Sequence, residues 1–348
     1  MTSHEYTDYT SEWHVNLLVI YAVGALFLSG QRALCQGRAP RQIALTIGSQ
    51  VDIPARGKNQ LSSIRDVAVS ADGTVYVLDP RAQRFDAFSV DGTLVATASL
   101  SDRDGKNITG HLLAPLPTGG AIVYDAAANR IHRYSLRGGM LKEVGSVTVG
   151  VETAKDICVL GDTLYLLAYR NDRIVQAYLT DGRHLGSFGV PPGSTTAVRR
   201  AVVGAGGHLS CSVRSRTVTV ELTASDRITA FHSDGTEAWQ YIIPGFQGIS
   251  FRTKPDGGVQ ISTDATSRDG VASIFGTGTA YTTIQVIRLR PGETRIESTM
   301  LRNSDGAPVA TLSTIPMMRE ANASFMIETP SALRIRALFY HVQNKGHP

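Results

Sequence analysis

The chain has 348 residues, 42% of them hydrophobic and 18% charged, with 34 glycines against 14 prolines. That balance excludes a disordered chain and leaves one large β domain or two ordinary ones. The net charge of +4 comes without a basic patch interleaved with aromatics; the densest groupings are Arg199-Arg200 and the pair Arg214 and Arg216, so nucleic acid is not an expected partner.

The first element is the apolar run from Asn16 to Leu28. It is too short to span a bilayer comfortably and fits the apolar region of a secretory signal. Ala33-Leu34-Cys35 offers small residues at −3 and −1 for cleavage before Gln36. The preceding segment carries Glu5, Asp8 and Glu12, and the first basic residues, Arg32, Arg38 and Arg41, follow the apolar run. That is the reverse of an ordinary signal, and a misassigned start codon accounts for it. Residues 1–36 are therefore read as a leader for export to the periplasm or the exterior. The alternative is an uncleaved membrane anchor over residues 15–29. A lipoprotein signal is disfavoured, because Arg32 and Leu34 do not fit its small-residue pattern around Cys35. Beyond the leader, Cys158 and Cys211 form no CxxC pair and lie in apolar strand patterns. They are expected as two buried free thiols, with one disulfide as the alternative.

A repeat follows. "DGTVYVLDPRAQRFDAF" and "GGAIVYDAAANRIHRY" share one spacing, with Asp79, Arg84 and Phe88 in the first and Asp125, Arg130 and Tyr134 in the second. A third copy keeps Arg173 but has Ala168 for the Asp and brings Tyr178 one residue late. A fourth ends on Arg227 and Phe231, a fifth carries a longer insert, and a sixth, "ASFMIETPSALRIRALFYHV", is degenerate. Each copy opens with a short apolar strand: "IRDVAVS", "HLLAPL", "KDICVL", "RRAVVG", "GISFRT" and "PVATLST". Two alternating strands follow, and an Asp-Gly turn (Asp91-Gly92, Asp181-Gly182, Asp234-Gly235) leads to a fourth, with both turn residues expected at positive φ. No amphipathic helix is expected within the repeats. Four antiparallel strands per unit give an all-β fold, a six-bladed β-propeller over residues 41–342 with a tail at 343–348. The last copy stops at its third strand, so the N-terminal "RQIALTIGS" is expected to complete the last blade and cover its open edge.

"DGTVYVLDPRAQRFDAFSVDG" resembles the NHL-repeat pattern, and "HLGSFGVPPGS" resembles the Phe-Gly linker between blades of that family. The resemblance is good over three blades and thin after Gly245. It implies a bacterial six-bladed propeller, exported or attached to a membrane, and leaves function open.

The recurring Asp79 and Asp125, with Arg84, Arg130, Arg173 and Arg227, are distributed around such a ring and cannot converge on one ligand. They are read as structural: the Asp caps turn amides, and the Arg pairs with a neighbouring blade. Non-repeated residues near the starts of the first strands should face the channel entrance. These are Arg65, Asp66, His111, Lys155, Asp156, Arg199, Arg200 and Gln247. They are the candidate binding mouth for an anionic ligand, a peptide or a glycan, the competing reading being ordinary solvated loops. No cofactor, metal site or catalytic residue is assigned. GxSxG is missing, and His111, His132, His184, His208, His232 and His341 show no HxxxH or HxH spacing. The resemblance also brings in lactonase-type and peptide-amidating propellers. The first need a channel Glu, which no first strand supplies, and the second several channel histidines, of which only His111 qualifies. The reading is an exported, monomeric, non-catalytic ligand- or protein-binding propeller of scaffold or sensor type. The alternative is a channel-site hydrolase or lyase, metal-dependent or not.

Overall fold

The computed structural model describes residues 43–53, 61–102, 105–151, 153–262, 267–277, 279–312, 315–321, 325–328 and 335–344. The predicted leader, and residues 345–348 of the predicted tail, lie outside them. The first blade is β2 (Asp66–Val69), β3 (Val75–Asp79), β4 (Arg84–Phe88) and β5 (Leu94–Ser99). The second is β6 (Gly110–Pro115), β7 (Ala121–Asp125), β8 (Arg130–Arg137) and β9 (Met140–Thr148). The third is β10 (Asp156–Leu160), β11 (Thr163–Arg170), β12 (Arg173–Leu179) and β13 (His184–Phe188). The fourth is β14 (Gly207–Ser212), β15 (Thr217–Leu222), β16 (Arg227–His232) and β17 (Glu237–Ile242). The fifth is β20 (Arg268–Thr277), β21 (Tyr281–Arg290), β22 (Glu293–Arg302) and β23 (Pro308–Leu312). The sixth orders β24 (Met318–Ala321), β25 (Phe325–Glu328), β26 (Ile335–Asn344) and β1 (Ile43–Ile53) from inside out. The inner strand of each blade contacts that of the next, and β24 returns to β2, so the six blades close a ring.

The second strand of each blade is buried on both faces, and alternation decides which neighbour each residue meets. In β3, Val75 and Val77 pack toward the sixth blade, while Tyr76 and Leu78 pack toward the second. The same rule yields one hydrophobic cluster at each of the six blade interfaces. Closure follows the predicted route: β1 pairs antiparallel with β26, Ile47 opposite Tyr340 and Ile53 opposite Ile335.

Several local expectations are corrected. "RRAVVG" is not a strand but part of helix α1 (Thr196–Gly204), capped by the Thr195 hydroxyl on the Val198 amide and burying Val198, Val202 and Val203. Its i, i+4 apolar spacing is helical. "GISFRT" and "GVQIS" supply a separate two-stranded hairpin, β18 (Ser250–Thr253) and β19 (Val259–Ser262), outside the blades. Phe251 and Val259 pack beside α1 on the cluster between the third and fourth blades. The inner strand of the fifth blade is instead β20, and "PVATLST" forms its outer strand, β23. In the Asp-Gly turns only the glycine takes positive φ (Gly92, Gly182, Gly235). Each Asp accepts the amide two residues on, as Asp91 does from Thr93 at 3.0 Å, so an Asx turn replaces the expected mirror-image turn. Cys158 and Cys211 are joined in a disulfide between β10 and β14, not held as free thiols. No helix among the described residues is long and apolar enough to cross a membrane.

Candidate functional site

The recurring carboxylates are fully used at the turns. Asp79 accepts from the amides of Ser62, Ser63 and Ala82, and Asp125 from those of Thr109, Ala127 and Ala128. Each therefore ties its turn to the linker entering its blade. Arg84 pairs with Asp86 on its own strand at 3.0 Å.

The non-repeated residues divide into two groups. Asp66 and Asp156 open β2 and β10 and are buried. Neighbouring inner strands share no ladder, so each carboxylate reaches across: Asp66 accepts the Leu113 amide of the second blade at 2.7 Å, and Asp156 the Leu209 amide of the fourth at 2.8 Å. Both are served by one side chain the sequence reading missed. Arg319, on β24 of the sixth blade, donates to Asp66 Oδ1 from Nε at 3.0 Å and Nη2 at 2.7 Å, and Nη2 lies 3.8 Å from Asp156 Oδ1. The sixth and third blades stand opposite each other in a ring of six. A guanidinium within 4 Å of carboxylates from the first and third blades lies in the channel that the inner strands surround.

One residue nearer the strand starts are the bases. Arg65 and Lys155 immediately precede Asp66 and Asp156, and their amides bond Leu78 O and Leu167 O at 2.9 and 2.8 Å, equivalent anchors in two blades. Arg65 Nη2 touches both ring nitrogens of His111, at 2.8 and 2.6 Å. The β6–β7 register slips at His111, between Gly110 and Leu112, and such a bulge re-aims a side chain. Burial first, then the charge of Arg65, lower the His111 pKa; Asp66 pulls the other way, and Lys155 adds a smaller lowering. Arg65, Asp66, His111, Lys155 and Asp156 are thus gathered at the inner strands of the first three blades.

Arg199, Arg200 and Gln247 are not gathered with them. Arg199 donates from Nε to Gly193 O and lies 3.7 Å from Asp172, while Arg200 stands over the Tyr169 ring at 5.5 Å. Both sit on α1. Gln247 exchanges backbone bonds with Asp269, accepting its amide at 2.7 Å and donating to its Oδ2 at 2.8 Å. Burial alone would raise the Asp269 pKa, but the Arg290 hydrogen bond, the Gln247 amide and the Arg288 charge hold it low. A cavity of about 330 Å³ lies between α1, the Ala224–Asp226 turn and Phe246–Phe251, and none of the five gathered residues lines it.

Beneath the bases lies a second group missed from sequence. His208 Nδ1 is 3.8 Å from Asp156 Oδ2, and its β15 register partner is Glu221, so both side chains leave the same face. Glu221 is fully buried, and neither of its carboxyl oxygens has a hydrogen-bond partner among the described residues. Burial, then the charge of Asp156, raises its pKa well above the ordinary value. Burial pushes Asp156 up to about 6 against the opposing pull of Arg319. Burial and Arg319 drive His208 well down. A lone acid in "TVTVEL" was the one available sequence signal. Among the described residues no three His, Cys, Asp or Glu side chains are placed to hold a metal ion.

No protein-family profile and no curated protein matches this sequence, so membership of the NHL family is not shown. The fold has many counterparts among solved structures. A member of the DUF4221 family from Bacteroides vulgatus aligns with a TM-score of 0.58 at 8% identity, over 88% of this chain and all of its own. Virginiamycin B lyase from Staphylococcus aureus aligns at 0.48 and 15% identity, over 86% of this chain and 99% of its own. The Cps50 (Swd1) β-propeller domain from Myceliophteria thermophila aligns at 0.45 and 10%, over 85% and 99%. The first of these likenesses supports the propeller fold and nothing beyond the fold.

Proposed function

We propose that this chain is an exported, non-catalytic binding propeller of scaffold or sensor type, whose protein, peptide or glycan ligand presents an anionic group to the channel mouth. The observation that carries this reading is the contact of Arg65 with His111, on whose ring the charge of Lys155 also acts, from three consecutive blades around a channel that holds Arg319. Rigid blades hold such a mouth open while the linkers around it vary. A disulfide between two inner strands supports the export reading, since such bonds persist in oxidising compartments. Residues 15–29 as an uncleaved anchor remain the alternative, and N-terminal sequencing of fractionated protein separates the two. The NHL-class assignment rests on Tyr76, Asp79, Arg84 and Phe88 and on the blade count.

The test is calorimetric titration with citrate and with a tetraglutamate peptide. Arg65→Ala with Lys155→Ala should weaken binding at least about tenfold without moving the melting temperature, because exposed loop charges change stability by about 0.5 kcal/mol or less. Binding of neither probe, or unchanged binding by the double variant, sinks the reading. The second reading, a channel hydrolase or lyase, is favoured by the perturbed group Asp156, His208 and Glu221, since shifted pKa values cluster at catalytic sites. It predicts turnover that His208→Ala abolishes, with or without a stoichiometric divalent metal in the purified protein.

A further inference from the structure

The contact between Arg65 and His111 has a donor problem. Arg65 Nη2 lies within hydrogen-bond distance of both Nδ1 and Nε2 of the imidazole. A guanidinium only donates, a neutral imidazole has a single accepting nitrogen, and a protonated one has none. At least one of the two contacts therefore sets N–H against N–H. Lys155, another pure donor, bears on the same ring. The carboxylate that also acts on the ring, Asp66, is committed elsewhere: Oδ1 accepts from Arg319 and Oδ2 from the Leu113 amide. Among the described residues, no carboxylate pairs with the side chain of Arg65 or Lys155. Two cationic side chains thus act on an imidazole that cannot accept both Arg65 contacts, with no uncommitted carboxylate beside them.

We propose that the mouth binds an oxyanion, a carboxylate, sulfate or phosphate group, together with one proton taken up by His111. The inference rests on the channel-mouth reading above. The oxyanion supplies the missing acceptor for all three side chains. Without it, burial and the charges of Arg65 and Lys155 keep the imidazole neutral, below its ordinary value of 6.5. With it, a negative charge beside the ring favours the imidazolium. The accepting ring nitrogen gains a proton from solvent, becomes a second N–H donor and turns toward the anion. No bond to the ligand forms or breaks. By linkage, the anion binds more tightly as pH falls through the bound-state pKa of His111, by at most about tenfold per pH unit. Asp66, Arg65 and Lys155 are the charged groups acting on the ring, and the anion changes the balance among them.

Sulfate is the probe, because it stays dianionic throughout the neutral range and any proton entering the complex goes to the protein. Titration of the full chain by calorimetry, in buffers of different ionisation enthalpy between about pH 6 and 8, counts protons per sulfate. The expected result is uptake approaching one proton at some pH in that range, with affinity falling as pH rises. His111→Gln should bind sulfate more weakly, with no uptake and no pH dependence. Sulfate bound without proton uptake at every pH, or uptake that persists in His111→Gln, overturns this inference and leaves the anion-binding mouth standing. Sulfate binding that survives Arg65→Ala with Lys155→Ala marks an adventitious ion and also overturns it. Failure of sulfate, citrate and tetraglutamate alike removes the mouth reading as well.

Discussion

Glu221 is an acid in the wall of the fourth blade, unpartnered among the described residues and beside a second acid. Its folded-state pKa is raised, so the stability it contributes is complete below its ordinary value of 4.5 and is lost as pH rises through the folded value. Asp156 behaves alike: a rise from 3.8 to about 6 corresponds to about 3 kcal/mol lost across that window. Melting temperature should therefore fall as pH rises from about 4 to about 6 through Asp156, and further as Glu221 ionises. Glu221→Gln, of the same shape and uncharged, should flatten the profile and exceed the parent above neutrality by about 1–3 kcal/mol. Thermal melts at several pH values decide, and an unchanged slope assigns the loss to another group. Arg319→Ala acts in the opposite direction. It leaves Asp66 and Asp156 buried without their shared cation and should cost about 3–5 kcal/mol in urea unfolding. That deficit should shrink as pH falls toward about 6, where Asp156 takes a proton even beside Arg319.

At the scale of elements, the inner strands are the weak seam of a propeller, because no ladder joins one blade to the next. Here the seam between β10 and β14 has two fasteners, the Asp156 carboxylate on the Leu209 amide and the Cys158–Cys211 disulfide. The bond closes a sequence separation of 53 residues, which in the chain-entropy account stabilises by about 4 kcal/mol. Cys158→Ala with Cys211→Ala should lose an amount of that order, and reductant should lower the parent's melting temperature but not the variant's. Two free thiols by mass spectrometry in the unreduced protein would overturn the pairing. The outer seam relies on close packing. A side chain at Gly306 (φ +68) would meet the Trp239 ring at 2.5 Å, just as one at Gly235 would meet Phe188 at 2.8 Å. Gly306→Ala combines a left-handed backbone with that clash and should destabilise by about 1–3 kcal/mol, measurable by urea unfolding.

For the whole molecule, β1 completes the sixth blade as its outer strand. It covers β26, and Ile53 is buried in the cluster between the sixth and first blades. A chain lacking Ile43–Ile53 should keep five complete blades and expose the β26 edge, so oligomers should appear in size-exclusion chromatography. A monomer with the parent's stability would show that closure does not depend on this strand.

The sequence alone determined the blade. Alternation, Asp-Gly turns and the spacing from Asp79 to Phe88 are local, and antiparallel strands joined by tight turns pair within a few residues of where they are written. The blade count and the closing strand followed, since two partial blades at opposite ends make one whole. The capping role of Asp79 and Asp125 was legible for the same reason, because a repeated residue serves a repeated turn. Where local pattern was short, it misled. "RRAVVG" carries enough Val and Ala to pass for a strand, and the helical signals, the Thr195 cap and the i, i+4 pair Val198 and Val202, straddle its start. The tertiary structure alone decided what meets on the axis. Arg319 lies 253 residues from Asp66, Cys158 lies 53 from Cys211, and the charge of Asp156 acts on Glu221 from the neighbouring blade. No local spacing encodes those meetings, because they exist only once ring closure has fixed where each inner strand stands.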